Sequence, residues 1–125
     1  MNIALGPAGS PAPTTREGVA VVASLGLTAM EVAFTHGVRM RNETARQISE
    51  ANNNYKIALS VHAPYYVNLL SREQSIVRAS TQRILDSCER AHYMNASPVV
   101  FHVGYYGGQD AGVAHQQAEE ALAGI

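Results

Sequence analysis

Four short apolar runs punctuate the chain, each closed by a loop and each followed by apolar residues at helical spacing. The first run covers residues 2–5, and residues 6–13 are too rich in Gly and Pro to extend it. Thr14-x-x-Glu17 then has the form of a capping box, and Val19, Val22 and Ala23 make a helical stripe that Gly26 can terminate. The second run, residues 29–34, leads into a loop at 36–41 (HGVRMR) with two arginines and no acid. Asn42 is placed to cap a helix with Ala45, Ile48 and Ala51 on one side, stopped by Asn52-Asn53-Asn54. A third strand is expected over 57–62. After it, Ser71-x-x-Gln74 reads as a second capping box, opening a stripe of Ile76, Val77, Ser80, Ile84, Cys88 and Ala91. The fourth strand is expected over 99–102. Asp110 then caps a last helix that turns Val113, Gln117, Ala118, Ala121 and Leu122 toward the sheet.

Strands alternating with helices at this spacing predict an α/β fold with parallel pairing and right-handed crossovers. Four such units in 125 residues extrapolate to about 250 residues for eight, the usual size of a (β/α)8 barrel. The chain therefore reads as one unit, residues 1–125, built like about half of a TIM barrel. No fifth strand follows the last helical pattern. A half-barrel leaves two open sheet edges and an uncovered inner face.

Composition narrows the class. At 46% apolar and 15% charged residues the chain is ordinary globular material, which excludes disordered, collagen-like and coiled-coil readings. A net charge of −1 argues against holding nucleic acid by bulk positive charge, although a local patch stays open. Cys88 is the only cysteine, so no internal disulfide forms; its place in the helical pattern predicts a buried small hydrophobe, and a reducing cytoplasm fits. No apolar run reaches the ~20 residues of a membrane span, and nothing at the start has the form of a signal peptide.

The chemistry sits in a pattern that occurs twice, His62-Ala63-Pro64-Tyr65-Tyr66 and His102-Val103-Gly104-Tyr105-Tyr106, each beginning at the end of an expected strand. Residues two apart on a strand share a face. His62 therefore sides with Ser60 and Ala58, away from Ile57, Leu59 and Val61. By the same count His102 opposes Val99 and Phe101, and Glu31 opposes Met30, Val32 and Phe34. Three polar groups thus converge on the inner face, at the strand ends where α/β folds bind ligands. Two histidines there suit a divalent metal such as zinc, or else hydrogen-bonded packing. Glu31, deeper in its strand, suits orienting a histidine or pairing with an arginine inside the barrel. Tyr65 and Tyr66 suit either a stacking surface or rim packing; Arg39 and Arg41 suit phosphate or plain solvation. No phosphate-binding P-loop, nucleophile elbow or Cys-x-x-Cys is present.

The stretches GPAGSP, GLTAMEVAF, SVHAPYYVNL and PVVFHVGYY together resemble the N-terminal half of the endonuclease IV family of apurinic/apyrimidinic endonucleases. The resemblance implies a (β/α)8 barrel with three zinc ions that hydrolyses the phosphodiester 5′ to an abasic site in double-stranded DNA. It implies that His62 and His102 are two of the zinc ligands. Arg39 matches a residue that enters the DNA at the lesion, Tyr65 a minor-groove tyrosine, and Tyr66 a further inserted side chain whose identity varies; Asn68 matches as well, with no role attached. The family's remaining ligands, including a bridging glutamate after strand five, have no counterpart here. The chain alone cannot bind the full zinc set and is expected to be inactive or nearly so. Two alternatives share the strand pattern: a fragment of a xylose-isomerase-like sugar isomerase or epimerase, and a non-enzymatic half-barrel that pairs with itself or with a second half-barrel.

Overall fold

The computed structural model describes residues 3–125. Three parallel strands lie side by side in chain order: β1 (Ala29–Ala33), β2 (Ala58–His62) and β3 (Val99–Val100). The register sets Glu31 beside Ser60, Ala33 beside His62, and His62 beside Val100. Four helices alternate with them: α1 (Thr15–Ser24), α2 (Asn42–Asn52), α3 (Gln74–Met94) and α4 (Ala111–Ala123). The α/β class and the parallel pairing expected from the sequence are both present. No helix among the described residues is long and apolar enough to cross a membrane.

The expected first strand is the main correction. Asn2 lies outside the described residues; the rest of that run forms no strand, and residues 3–9 follow β1 as an irregular edge whose isolated bridge, Ala8 to Glu31, falls beyond the expected run. The Leu5 carbonyl accepts from both Thr28 N and Ala29 N, at 2.9 and 3.0 Å, so the ladder slips where it starts. Pro7 has no N–H to donate, and only its carbonyl takes part, accepting from Glu31 N at 3.0 Å. Gly6 completes the arrangement because a Cβ there would fall 1.5 Å from the Ala29 carbonyl oxygen.

Helix starts divide by what their polar side chains do. Thr14 forms the expected capping box: Glu17 N donates to Thr14 Oγ1, and Glu17 Oε2 accepts from Thr14 N, each at 3.2 Å. Asp110 caps α4 through Gly112 N and Val113 N. Asn42 does not cap α2; its side chain is drawn away to Glu89 and Arg90, and Arg41 holds the cap position without a side-chain bond. Ser71 does not cap α3 either. Its hydroxyl accepts from Glu73 N, and the helix opens two residues later than expected, at Gln74.

The core fills the space between helices and one face of the sheet, with Val19, Val22, Ile48, Ala91 and Met94 against Met30, Val32, Leu59 and Val61. On α3 the buried stripe is Ser80, Ile84, Ser87, Ala91 and Met94, so Ser80, Ile84 and Ala91 are buried as expected and Ser87 stands inside where Cys88 was expected. Ser87 is buried because its hydroxyl donates to the Arg83 carbonyl at 2.7 Å, which satisfies it inside the helix. Cys88 is turned out and exposed, and Ile76 with it. On α4 only Ala114 is buried, while Val113 and Leu122 are exposed and Ala121 reaches a small second cluster of Val67, Leu69 and Ile84. The opposite face of the sheet, with Ala33, Ala58 and Val100 exposed and Glu31, Ser60 and His62 half-buried, has no helix over it.

Candidate functional site

The alternation of β2 turns Leu59 and Val61 into the core and His62 to the open face. Val100 stands beside His62, so His102, two residues further, rises on the same side. The two imidazole rings lie 5.3 Å apart between centroids, tilted by 51°. The Nδ1 of His62 is 2.7 Å from the Ala63 carbonyl oxygen, which can only accept, so Nδ1 is the donor of this contact and Nε2 is the ring nitrogen left for a ligand. A backbone carbonyl thus provides the orienting contact that the sequence suggested for Glu31. Glu31 sits on the same face but one layer lower, beside Ser60. The ion pairs among the described residues are Arg90–Glu89 and His115–Glu119, neither involving Glu31.

These donors fit two positions of a divalent-metal site. Neutral imidazoles with a fixed tautomer are good zinc ligands. Among the described residues no group of three or more His, Cys, Asp or Glu side chains comes together, so the pair stands without a third protein ligand.

Around the histidines rise three loops, the third of them after β3. The first joins β1 to α2 and carries Arg39, whose side chain is exposed. Its backbone is pinned at several points: Gly37 N donates to the Phe34 carbonyl at 3.2 Å, Arg39 N to the Gly37 carbonyl at 3.1 Å, and Arg90 Nε to the Met40 carbonyl at 2.7 Å. The second joins β2 to α3. Buried Ala63, Pro64 and Val67 bracket Tyr65 and Tyr66, so the tyrosines are held between fixed points. Tyr65 is 56% exposed, and Tyr66 meets it edge-on at 5.3 Å and 89°. The Arg83 guanidinium lies 4.5 Å from the centre of the Tyr66 ring.

Asn68 is a fastener of this second loop. Its N–H donates to Ser80 Oγ at 2.9 Å, and its Oδ1 accepts from Leu70 N at 3.1 Å. A Cβ on Gly104, in the loop after β3, would come within 2.5 Å of that Oδ1, so the second and third site loops touch here. Tyr105 and Tyr106 are exposed. Sequence reasoning singled out neither Arg83 nor Arg90. Their seven-residue separation beside the buried stripe of α3 is the signal that could have drawn attention to them.

A family model for the xylose isomerase-like TIM barrel matches residues 19–125. The chain is 31% identical over 80 residues to the "Probable endonuclease 4" of Thermoplasma volcanium, covering 64% of this chain and 28% of that protein. Endonuclease IV from Thermus thermophilus superposes with a TM-score of 0.63 at 25% identity, over 94% of this chain and 46% of that one. D-Psicose 3-epimerase from Clostridium cellulolyticum gives a TM-score of 0.72 at 15% identity, over 89% and 41%. The chain spans about a third or less of the curated relatives it matches. With parallel βα units in chain order and a family match over most of its length, this chain belongs to the xylose isomerase-like TIM barrel family.

Proposed function

We propose that this chain carries part of the site of a zinc-dependent DNA-repair hydrolase of the endonuclease IV type, acting in the cytoplasm on the phosphodiester 5′ to an abasic site in double-stranded DNA. The observation that carries the reading is the His62–His102 pair, 5.3 Å apart at the carboxyl ends of neighbouring parallel strands and flanked by the Arg39 and Tyr65–Tyr66 loops. The likeness to endonuclease IV proteins supports it. In this reading His62 and His102 hold metal through ring nitrogens. Zinc, when bound, supplies Lewis acidity toward a phosphate oxygen and a more acidic water. Arg39 and the exposed Tyr65 enter the duplex where a base is missing, and Tyr66 backs Tyr65; the gap lowers the cost of unstacking. Glu31 sets the polarity of the floor beneath the histidines. Two histidines fall short of a three-zinc set, so the 125-residue chain cuts abasic DNA little or not at all.

The test is binding by the 125-residue chain. Zinc titrated into the chain is expected to bind, and His62→Ala or His102→Ala is expected to abolish that binding. A short duplex with one tetrahydrofuran abasic-site analogue is expected to bind at least about fivefold more tightly than the intact duplex, and Tyr65→Ala is expected to remove the difference. Equal affinity for the two duplexes overturns the reading. The higher TM-score to the D-psicose 3-epimerase favours a second reading, a sugar isomerase or epimerase fragment. Metal-dependent epimerisation of a ketohexose, without preference for abasic DNA, would select it.

A further inference from the structure

Helix α3 carries two arginines seven residues apart, Arg83 and Arg90. Seven residues return to within about 20° of the same direction on an α-helix, so both side chains leave α3 on one side. They end in different loops. Arg90 Nε donates to the carbonyl of Met40, the neighbour of Arg39, while its Nη1 contacts Asn42 and Glu89. Arg83 lies against the ring of Tyr66, which stands edge-on to Tyr65. The loops also meet directly, because the Tyr66 hydroxyl lies where a Cβ on Gly37 would be only 3.0 Å away. Gly37 has φ +107, a conformation that side chains rarely adopt, so both the backbone and this approach call for glycine.

We infer that Arg83 is a positioning residue for nucleic-acid recognition: it fixes the ring plane of Tyr66, and through it the outward setting of Tyr65, while Arg90 fixes the neighbouring loop that carries Arg39. The inference rests on the proposed function and adds to it the part that sets the spacing of the two protrusions. An exposed tyrosine with no backing loses ring freedom on entering a duplex, which weakens binding. A ring already stacked on a guanidinium and set against a second ring has lost much of that freedom beforehand.

The experiment is a double-mutant cycle on the 125-residue chain, read as affinity for the tetrahydrofuran duplex and for the intact duplex. Arg83→Met, which keeps length and apolar stem, is expected to weaken binding to the abasic analogue by about threefold. In a Tyr66→Leu background Arg83→Met is expected to have no further effect, and Arg83→Lys in the wild-type background is expected to recover part of the loss. A separate readout without DNA is the upfield ring-current shift of the Arg83 side-chain protons, expected in the wild type and lost in Tyr66→Leu. If Arg83→Met weakens both duplexes equally and does so in the Tyr66→Leu background too, Arg83 contacts phosphate directly and the inference is wrong. If the ring-current shift is absent in the wild type, the contact does not exist in solution and the inference is wrong. A wild-type chain with no preference for the abasic analogue overturns the DNA reading and the inference together, whereas absence of the ring-current shift from the wild type alone overturns the inference and leaves the DNA reading standing.

Discussion

Glu89, on α3, meets Asn42 at the start of α2, where the Arg39 loop ends. Its carboxyl is held below the usual carboxylate range, first by the hydrogen bond from Arg90, then by that from Asn42. A lowered folded value means that the ionised form is favoured in the native state. Its stabilisation is present above the ordinary value near 4.5 and disappears as pH falls through the lower folded value. Because the side chain is exposed and its charge screened, the effect is expected to be small. Glu89→Gln is expected to lower Tm slightly at pH 7 and to leave it nearly unchanged well below pH 4.5, so that the acid limb flattens; a Tm difference from the wild type that stays constant from pH 7 into acid would refute this. At this scale His62 and His102 were legible in the sequence because strand alternation alone assigns their face. Arg83 and Arg90 were not, because their partners lie in loops far along the chain, 50 residues away for Arg90 and Met40. Ser87 is buried where Cys88 was expected for a chemical reason: a serine that returns its hydroxyl to its own helix can be buried, so polarity is a poor guide there.

Among the elements, α1 was legible almost to the residue because Thr14 and Glu17 satisfy each other locally. Asn42 and Ser71 carried the same local signal, and tertiary or loop partners captured them. The edge segment ahead of α1 shows the limit of reading apolar runs as strands. Its residues follow β1, yet the bifurcated contact at Leu5 and the missing donor at Pro7 prevent a regular ladder. Gly6 makes this edge sensitive to substitution. Gly6→Ala would drive a methyl group into the Ala29 carbonyl, and the edge must detach or β1 must shift. The expected cost is about 3 kcal/mol, read as a lowered denaturation midpoint in urea. A midpoint within error of the wild type would mean that the edge is not held against β1 in solution. Gly26→Ala, at φ +72 with open space around it, is expected to cost about 1 kcal/mol for backbone reasons alone.

For the molecule as a whole, the sheet packs helices on one face and leaves the other open. Val100 on β3, Val113 and Leu122 on α4, and Ile3 and Leu5 on the opposite edge are all exposed. Unpaired edges and apolar rims of this kind promote pairing with another chain. Sedimentation of the 125-residue chain is expected to show its mean mass rising from 13.4 kDa as concentration increases, with a compact dimer if two half-barrels close on each other. A strictly monomeric species at every concentration would contradict that. The barrel class was legible because unit spacing and strand alternation are local. The two-residue length of β3 was not, because it depends on what pairs at its far edge. Strand order that follows chain order also bears on synthesis. Each βα unit docks on the unit made just before it, so no strand must wait for a distant partner to emerge from the ribosome, and folding can keep pace with translation.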